Sequence, residues 1–369
     1  MAETPRDIAL SLWRAGVAAV DGHAATLAAL EGMAPPDMVL AIGKAAGAMA
    51  RAALDRFGAV PALVVTKDGH GGGLPAHVRL IEAAHPVPDD RSLAAGRALR
   101  AAVAGMGPGS SLLVLVSGGA SSLAEDPTEG VALDDITALN RRLLASGLDI
   151  GAMNAQRRRL SRIKGGGLLA RFKGSRLEVL AISDVPGDDL GVIGSGIATL
   201  PGRPGLSAGA RIVASNAMAR AAVERATQAR GLAVLGNAEA LHDDLGALAA
   251  HWGPRLRDMP AGVIVLGGEP SVVLPDNPGR GGRNQALALA LAQQIAGTSG
   301  LTIVVGGTDG SDGPTDAAGA IVDGTTWGPG AAVALAAADS GTWLDRRGAL
   351  LVTGPTGTNV MDLVVALRA

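Results

Sequence analysis

Short apolar runs recur along this chain, and most of them end in Gly, Ser or Asp and are followed by a stretch with helical periodicity. Few of these runs alternate polar with apolar residues, which is typical of strands whose two faces are both covered. This order predicts an α/β fold built on parallel strands. The predicted strands span residues 38–42, 63–66, 112–117, 177–183, 263–266, 301–305 and 350–353.

The stretches between the strands carry good helix formers with apolar residues at helical spacing. Ser92 and Asp134 are suited to cap two of the helices. The predicted helices span residues 45–57, 92–103, 134–145, 207–230, 239–251 and 284–296. Residues 253–260 are polar and contain two prolines, so we expect the domain change near them. The expected domains are 1–255 and a smaller 256–369, to within about 20 residues.

The composition is that of a folded chain, because 48% of the residues are hydrophobic and only 18% are charged. A formal net charge of -2 gives no global field that would attract nucleic acid or an anionic membrane, so neither is expected as a partner. The chain has no cysteine, and its N-terminus is polar and acidic where a secretory signal is basic and then apolar. We therefore expect a cytoplasmic protein.

Ligands of open parallel sheets bind beyond the carboxyl ends of the strands, so the residues after each apolar run are the first candidates. The segment 117–122 reads Ser-Gly-Gly-Ala-Ser-Ser, and glycines and hydroxyls at a helix start form a cradle for phosphate. A tight turn with capping serines is the alternative interpretation. Neither a Walker A sequence nor a strand-linked G-x-G-x-x-G is present, which disfavours the familiar nucleotide folds.

Three basic residues, Lys44, Lys164 and Arg283, lie in glycine-rich surroundings. A cation held in such a place can neutralise charge on a phosphoryl group during its transfer. The alternative for each is a solvated loop charge. The sequence therefore gives three candidates for phosphate chemistry.

Two groups of acidic residues follow predicted strands and indicate a divalent cation such as Mg²⁺, which prefers carboxylate, water and phosphate oxygens. Capping of turns by Asp is the alternative interpretation. One group is Asp184, Asp188 and Asp189, and the other is Asp309, Asp312 and Asp316 with Glu269 nearby.

The histidines are scattered and show no His-Glu-x-x-His spacing, which argues against a zinc site. His85 precedes a rigid Pro-Val-Pro segment and either binds substrate or bonds a nearby backbone group. No G-x-S-x-G elbow follows a predicted strand, which argues against a serine hydrolase.

Taken together, these segments resemble the glycerate 2-kinase family, whose C-terminal part is called the MOFRL domain. The resemblance runs through nearly the whole chain. Its motifs are Ala41-Ile42-Gly43-Lys44-Ala45-Ala46, His85-Pro86-Val87-Pro88-Asp89, Val116-Ser117-Gly118-Gly119, Ile163-Lys164-Gly165-Gly166, Ile182-Ser183-Asp184-Val185-Pro186-Gly187-Asp188-Asp189, Gly267-Gly268-Glu269, Gly281-Gly282-Arg283-Asn284-Gln285, Gly307-Thr308-Asp309-Gly310, Asp312-Gly313-Pro314-Thr315-Asp316-Ala317-Ala318-Gly319 and Thr353-Gly354-Pro355-Thr356-Gly357-Thr358-Asn359.

The resemblance implies an ATP- and Mg²⁺-dependent kinase that converts D-glycerate to 2-phosphoglycerate. It implies a Rossmann-like, parallel-sheet N-terminal domain, a smaller α/β C-terminal domain of the MOFRL type and an active site in the cleft between them. Lys44 and Arg283 match the catalytic lysine and arginine proposed for the family. The expected partners are the small molecules glycerate and ATP, and a homodimer is one allowed assembly.

These considerations assign expected roles to particular side chains. His85 and Asn284 are expected to bind the acid. The residues expected at the nucleotide phosphates are Ser117, Gly118, Gly119, Ser121, Lys164, Gly165, Gly268 and Thr356. Those expected at the metal are Asp184, Asp189, Glu269, Asp309 and Asp312.

Four positions depart from the usual family pattern: Ala120, Gly167, Ala286 and Met361 stand where Gly, Arg, Glu and Asn are common. Because they adjoin the motifs, a kinase for a related sugar acid is an alternative, and a degenerate protein that only binds nucleotide or sugar acid is another. Relatives have also been labelled hydroxypyruvate reductases, which would require a nicotinamide cofactor. The missing dinucleotide fingerprint argues against that activity.

Overall fold

The computed structural model describes residues 3–144 and 150–369 of the chain. Contacts within the chain divide it into two compact units. The first, called here the Rossmann unit, comprises the described residues of Asp21–Ser215 together with Gly357–Asn359. The second, called the mixed-sheet unit, comprises the described residues of Met1–Val20, together with Asn216–Thr356 and Val360–Ala369.

Helices and strands alternate along most of the chain. The helices are α1 Pro5–Ala18, α2 Gly22–Ala29, α3 Ala46–Phe57, α4 Asp90–Ala104, α5 Ala120–Leu123, α6 Leu133–Leu144, α7 Ile150–Arg159, α8 Asn216–Ala229, α9 Leu245–Asp258, α10 Arg283–Gln294, α11 Ala331–Ala336 and α12 Ser340–Asp345. The strands are β1 Met38–Ile42, β2 Ala62–Lys67, β3 Arg79–Ala83, β4 Ser111–Val116, β5 Arg176–Ile182, β6 Ser207–Ala214, β7 Val234–Glu239, β8 Gly262–Gly268, β9 Leu301–Gly307, β10 Gly319–Asp323, β11 Leu350–Leu351 and β12 Asp362–Arg368.

The Rossmann unit is built on one sheet with the strand order β3-β2-β1-β4-β5-β6, in which every pairing is parallel. Parallel neighbours need crossover connections, and helices supply most of them. This is the strand order of the Rossmann fold, in which the direction of winding reverses between β1 and β4. All of β4 is buried, as expected for a central strand covered on both faces. The predicted parallel-sheet fold class is therefore confirmed.

The mixed-sheet unit contains a second sheet, with the order β11-β10-β9-β12-β8-β7. Only β7 and β8 pair in parallel, whereas the remaining neighbours are antiparallel. Residues of α9 to α12 pack on one face, and residues of α1 and α8 pack on the other. The unit is thus a three-layer sandwich in which β12 fills the middle of the sheet.

The division of the chain lies earlier than the sequence analysis placed it. A boundary at 255/256 would cut through α9, and the stretch of the mixed-sheet unit that starts at Asn216 also contains α8 and β7. β7 pairs with β8 and extends the second sheet, so it cannot be separated from that sheet. Helix α1 also packs in this core, through Leu12 and Trp13. Sequence order alone did not indicate that both ends of the chain share one unit.

Local sequence explains where several helices begin. Thr4 caps α1 in a reciprocal arrangement with Asp7, and Pro5 stands at the first helical position. Asp89, and not the predicted Ser92, caps α4, while Ser92 completes the capping box three residues later. Among the described residues, no helix has both the length and the apolar character needed to cross a membrane.

Three predicted helices need correction. The helix predicted at 239–251 begins later, because Glu239 ends β7 and α9 spans Leu245–Asp258. The stretch 207–230 contains a strand, β6, followed by α8. Residues 207–214 mix helix formers with Gly, Ile and Val, and their pairing with β5 makes them a strand. The helix predicted at 134–145 begins at Leu133, so Asp134 lies in its first turn and does not cap it. Ala145, the last residue of that prediction, lies outside the described residues.

Candidate active site

The crevice at the reversal point of the Rossmann unit is formed by the residues that follow β1 and β4. The backbone N–H of Lys44 donates to the carbonyl of Gly118 at 2.9 Å, and the N–H of Ala45 donates to Oγ of Ser117 at 3.0 Å. Gly43 has φ 125°, and a Cβ there would lie 2.3 Å from the Ser117 hydroxyl oxygen. Glycine is therefore required for the two loops to approach. Ser117 is buried and positions the loops.

Lys44 and His85 lie side by side against Gly119. An ideal Cβ on Gly119 would lie 3.2 Å from Cγ of Lys44 and 3.2 Å from Nε2 of His85. Gly119 has φ 83°, a left-handed conformation that favours glycine, and it leads into the short helix α5. The predicted acid-binding histidine and the predicted catalytic lysine are thus brought to one place.

Gly118 lies directly against a polar pair formed by Asp184 and Asn359. A Cβ on Gly118 would lie 1.9 Å from both the Asp184 Oδ2 and the Asn359 Nδ2 atoms. The Asn359 amide donates to Asp184 at 3.3 Å. The carboxylate that follows β5 therefore stands directly beside the glycine loop that follows β4.

Ser121, which follows the glycine loop of Gly118 and Gly119, belongs to a network of hydroxyl groups. Its Oγ lies 2.9 Å from Oγ of Ser195, which donates to the side-chain oxygen Oδ1 of Asn154 at 3.0 Å. Ser195 has φ 58° although it is not glycine, and its carbonyl accepts the N–H of Gly165 at 3.0 Å. A non-glycine residue in this conformation is strained, which is common where a loop is held for function.

Lys164 has different surroundings from those expected of a phosphate ligand. Its side chain is 2% exposed, and its Nζ donates to the buried carboxylate of Glu125, which also accepts from Oγ of Ser161 at 2.5 Å. Burial lowers the pKa of Lys164. Asp189 is exposed, and its Oδ1 accepts the N–H of Gly191 at 2.7 Å. Lys164 is thus held in a buried ion pair with Glu125, and Asp189 stabilises a turn.

Arg283 begins α10 in the mixed-sheet unit and is held by two carboxylates. Its Nε donates to Oδ2 of Asp362 at 2.8 Å, and its Nη1 lies 2.5 Å from Oε1 of Glu269. Asp362 begins β12, where strand register places it between Gly268 and Gly307. Burial lowers the pKa of Arg283, but the charges of Asp362 and Glu269 outweigh it, so the pKa is raised.

Asp312 caps α10 from outside the helix. Its two carboxylate oxygens accept the N–H groups of Asn284 at 3.0 Å and of Gln285 at 2.8 Å. Burial raises the pKa of Asp312 to about 7, although these two hydrogen bonds lower it. Because both oxygens already serve the helix, Asp312 is better described as a cap than as the predicted metal ligand. The Asn284 amide donates to Asp362 at 2.9 Å.

The remaining predicted residues of this unit lie at the same end of the sheet. Asp309 accepts the N–H of Ser311 at 2.9 Å, and its own carbonyl accepts the N–H of Thr356 at 3.3 Å. Gly268 has φ 135° and a Cβ there would lie 2.9 Å from the Leu241 backbone nitrogen. Gly268 thus permits a close chain approach.

A metal ion would have to be held by few protein ligands. Within residues 3–144 and 150–369, no three His, Asp or Glu side chains are gathered to hold one. Mg²⁺ in nucleotide sites often takes one or two carboxylates and completes its shell with phosphate oxygens and water. Asp184, partly exposed beside the glycine loop, fits such a site.

Two functional candidates, Asn359 and Asp362, were missed by sequence reasoning. Asn359 ended a quoted motif but had no role, and its contact with Asp184 depends on a return of the chain to the Rossmann unit. Asp362 precedes the apolar run 363–367, whose recognition as a strand would have placed it at a strand end.

The chain matches two protein-family models, which together cover most of it. Residues 8–229 match the model described as Domain of unknown function (DUF4147), and residues 262–362 match the MOFRL family. A D-glycerate 2-kinase of Thermotoga maritima is 36% identical over 89% of this chain and 90% of its own. A protein of Agrobacterium vitis, provisionally named a hydroxypyruvate reductase, is 37% identical over 88% of this chain and 97% of its own.

The fold agrees as well. The crystal structure of glycerate kinase from Thermotoga maritima superposes with a TM-score of 0.87 at 32% identity, covering 100% of both chains. The two-unit α/β fold and its likeness to glycerate 2-kinases and to the glycerate kinase structure make the chain a phosphotransferase with an alcohol acceptor. The chain belongs to the glycerate 2-kinase family of DUF4147 and MOFRL proteins.

Proposed function

We propose that this chain transfers the γ-phosphoryl group of ATP to the C2 hydroxyl of D-glycerate, giving ADP and 2-phosphoglycerate. The observation that carries the proposal is the pairing of Lys44 and His85 against Gly119, at the reversal point where Rossmann sheets bind ligands. Membership of a kinase family supports the reaction type.

The glycine loop after β4 is the proposed phosphate cradle. Backbone N–H groups near Gly118 and Gly119 suit the oxygens of a phosphate chain, since the missing side chains permit a close approach. Ser117 holds this loop to the start of α3, and Ser121 ties it to Ser195. Lys44 would neutralise charge on the transferred group.

Arg283 is proposed to bind the carboxylate of the acid or the transferred phosphoryl group. A guanidinium suits both, because its planar donors match pairs of anionic oxygens. Asn284 follows it at the start of α10, and His85 is the proposed ligand of the acid in the Rossmann unit. The alternatives for Arg283 differ in kinetics, since loss of carboxylate binding raises KM whereas loss of phosphoryl stabilisation lowers kcat.

We propose Asp184 as the protein ligand of Mg²⁺, supported by its partial exposure and its place beside the glycine loop. When bound with ATP, the ion would neutralise the phosphate oxygens. The hydroxyl oxygen of the acid forms a bond to the γ-phosphorus, the bond to the bridging oxygen breaks, and the hydroxyl proton is released. The residues of this chain then contribute position and charge.

The test is ADP release from the purified protein with ATP, Mg²⁺ and D-glycerate, with the product identified by NMR against both phosphoglycerate standards. Lys44→Ala and Arg283→Ala should each lower turnover by about 100-fold or more. The exposed residues Lys173 and Arg171 supply the matched controls Lys173→Ala and Arg171→Ala, which should retain wild-type rates. Wild-type turnover in Lys44→Ala would remove that residue from the mechanism.

The departures beside the motifs favour a second candidate, a kinase for a related sugar acid. Gly167 has no room for the usual arginine, because a Cβ there would lie 2.6 Å from the Arg162 carbonyl. A panel of hydroxy acids separates the two candidates. NADH oxidation with hydroxypyruvate would instead favour the activity named for the Agrobacterium vitis relative, and ATP binding without turnover of any acid would indicate a degenerate protein.

A further inference from the structure

The guanidinium of Arg283 has two unlike partners. On one side, Nε and Nη2 donate to the two oxygens of Asp362 at 2.8 and 3.4 Å, and the Asp362 side chain is 2% exposed. On the other, Nη1 meets Oε1 of Glu269 at 2.5 Å, and the Glu269 side chain is 46% exposed. One partner is buried in the sheet, and the other stands in solvent.

The two partners differ in how easily they can be exchanged. A buried carboxylate with a two-point contact to a guanidinium is costly to separate from it, because both charges would be left unpaired. Asp362 is fixed further by the Asn284 amide and by its place opposite Gly268 and Gly307. A half-exposed ion pair such as that of Glu269 contributes little and gives way readily to a competing anion.

We propose that Asp362 is a positioning residue that keeps Arg283 in place. In the substrate-free protein Glu269 pairs with Nη1 of Arg283, and the anion of the substrate then binds this same nitrogen in place of Glu269. The carboxylate of Glu269 and that of a hydroxy acid offer the same acceptor to Nη1, so the substrate replaces Glu269 without moving the guanidinium. This inference rests on the proposed function, since it requires Arg283 to bind an anionic substrate.

Glu269→Gln tests the exchange. Removal of the competing charge should lower the KM for D-glycerate by about two- to fivefold. The matched control is Asp276→Asn, an exposed carboxylate in the same connection between β8 and α10, which should leave the KM unchanged. If Glu269 is instead a metal ligand, Glu269→Gln will raise the Mg²⁺ concentration needed for half-maximal rate, and an unchanged KM for D-glycerate overturns the exchange.

Asp362→Asn tests the positioning role. It should lower kcat by about tenfold or more, and the same change in an Arg283→Ala background should add little, because the two residues act as one unit. A merely structural role predicts equal further losses in both backgrounds, and that result would overturn the assignment. Urea unfolding of each variant identifies any that fail to fold.

One measurement does not need turnover. The Nε–H of Arg283 should give an NMR signal protected from exchange in the wild type and in Glu269→Gln, and should lose that protection in Asp362→Asn. If the wild type neither turns over nor binds D-glycerate, the proposed function fails and the exchange by Glu269 fails with it. The positioning role of Asp362 is then decided by this signal alone, and unchanged protection in Asp362→Asn refutes it.

Discussion

Lys164 and Glu125 form an ion pair in which the lysine side chain is 2% exposed and the glutamate side chain is 1% exposed. Removal of one partner leaves the other charge buried without compensation. Lys164→Met should therefore lower the free energy of unfolding by about 3–5 kcal/mol, and Lys164→Met combined with Glu125→Leu should recover most of that loss. Urea unfolding of the single and double variants measures both values.

The same double variant also tests whether Lys164 binds ATP. The double variant should keep the wild-type KM for ATP, because a lysine paired within the interior cannot also contact the phosphates. A large rise in that KM, in a double variant of normal stability, would return Lys164 to the phosphate site.

Gly118→Ala should disrupt the phosphate loop. Its Cβ would lie 1.9 Å from atoms of Asp184 and Asn359, so the loop or the polar pair must move. We expect turnover to fall by about 100-fold or more, as for loss of precise positioning. Gly109→Ala is the matched control, since nothing lies within 4 Å of a Cβ there and wild-type kinetics are expected. Normal kinetics in Gly118→Ala would show that the site does not depend on this packing.

Met361→Gly should be more stable than Met361→Ala by about 1 kcal/mol, the reverse of the ordinary order. Met361 has φ 66°, and its carbonyl accepts hydrogen bonds from Thr308 N at 3.1 Å and Oγ1 at 2.7 Å, so the backbone is held in the left-handed region. The two variants lose the same buried side chain and differ in backbone strain. Urea unfolding measures the difference.

Met49 supplies the comparison for Met361, because it is equally buried but lies within helix α3. There Met49→Gly should be less stable than Met49→Ala by about 1 kcal/mol. The same order at both positions would contradict the strain at Met361.

Asp312 should make stability depend on pH. Its pKa is raised from 3.8 to about 7 in the folded protein, so the folded state binds the proton more tightly than the unfolded chain does. The resulting stabilisation is present at low pH and is lost as the pH rises through about 7. The free energy of unfolding of the wild type minus that of Asp312→Asn should fall as the pH rises from 3.8 through about 7, and should level off above that. A difference that rises or stays constant would contradict the raised pKa.

The Rossmann unit was largely accessible to sequence reasoning. Uninterrupted apolar runs such as 38–42 and 112–117 reveal buried parallel strands, and polar residues after them mark the ligand end of the sheet. Lys44, Gly118 and Asp184 could be proposed on that ground alone. The strand β3 was missed because its residues are largely exposed or half-buried and lack a continuous apolar run.

The mixed-sheet unit was less accessible, because its site depends on pairings between distant parts of the chain. Asp362 meets Arg283 only because β12 returns to the middle of the sheet, which no local pattern reports. The roles of Asp312 and Glu125 likewise depend on residues that are remote in sequence. Asp312 caps helix α10 at Asn284, and Glu125 pairs with Lys164. Met361 stands where Asn is usual in the family pattern. Its left-handed backbone conformation explains the preference for Asn there, since Asn tolerates that conformation better than most residues.

The position of β12 also bears on the order of events during translation. β8 and β9 are both synthesised before the strand that separates them, so the nascent sheet has a gap at its centre until residues 362–368 emerge. By then the residues that make up the Rossmann unit have all been synthesised. On a stalled ribosome, protease should therefore cleave within β8 or β9 before this strand is exposed and spare both afterwards. The contact of Arg283 with Asp362 cannot form before β12 emerges.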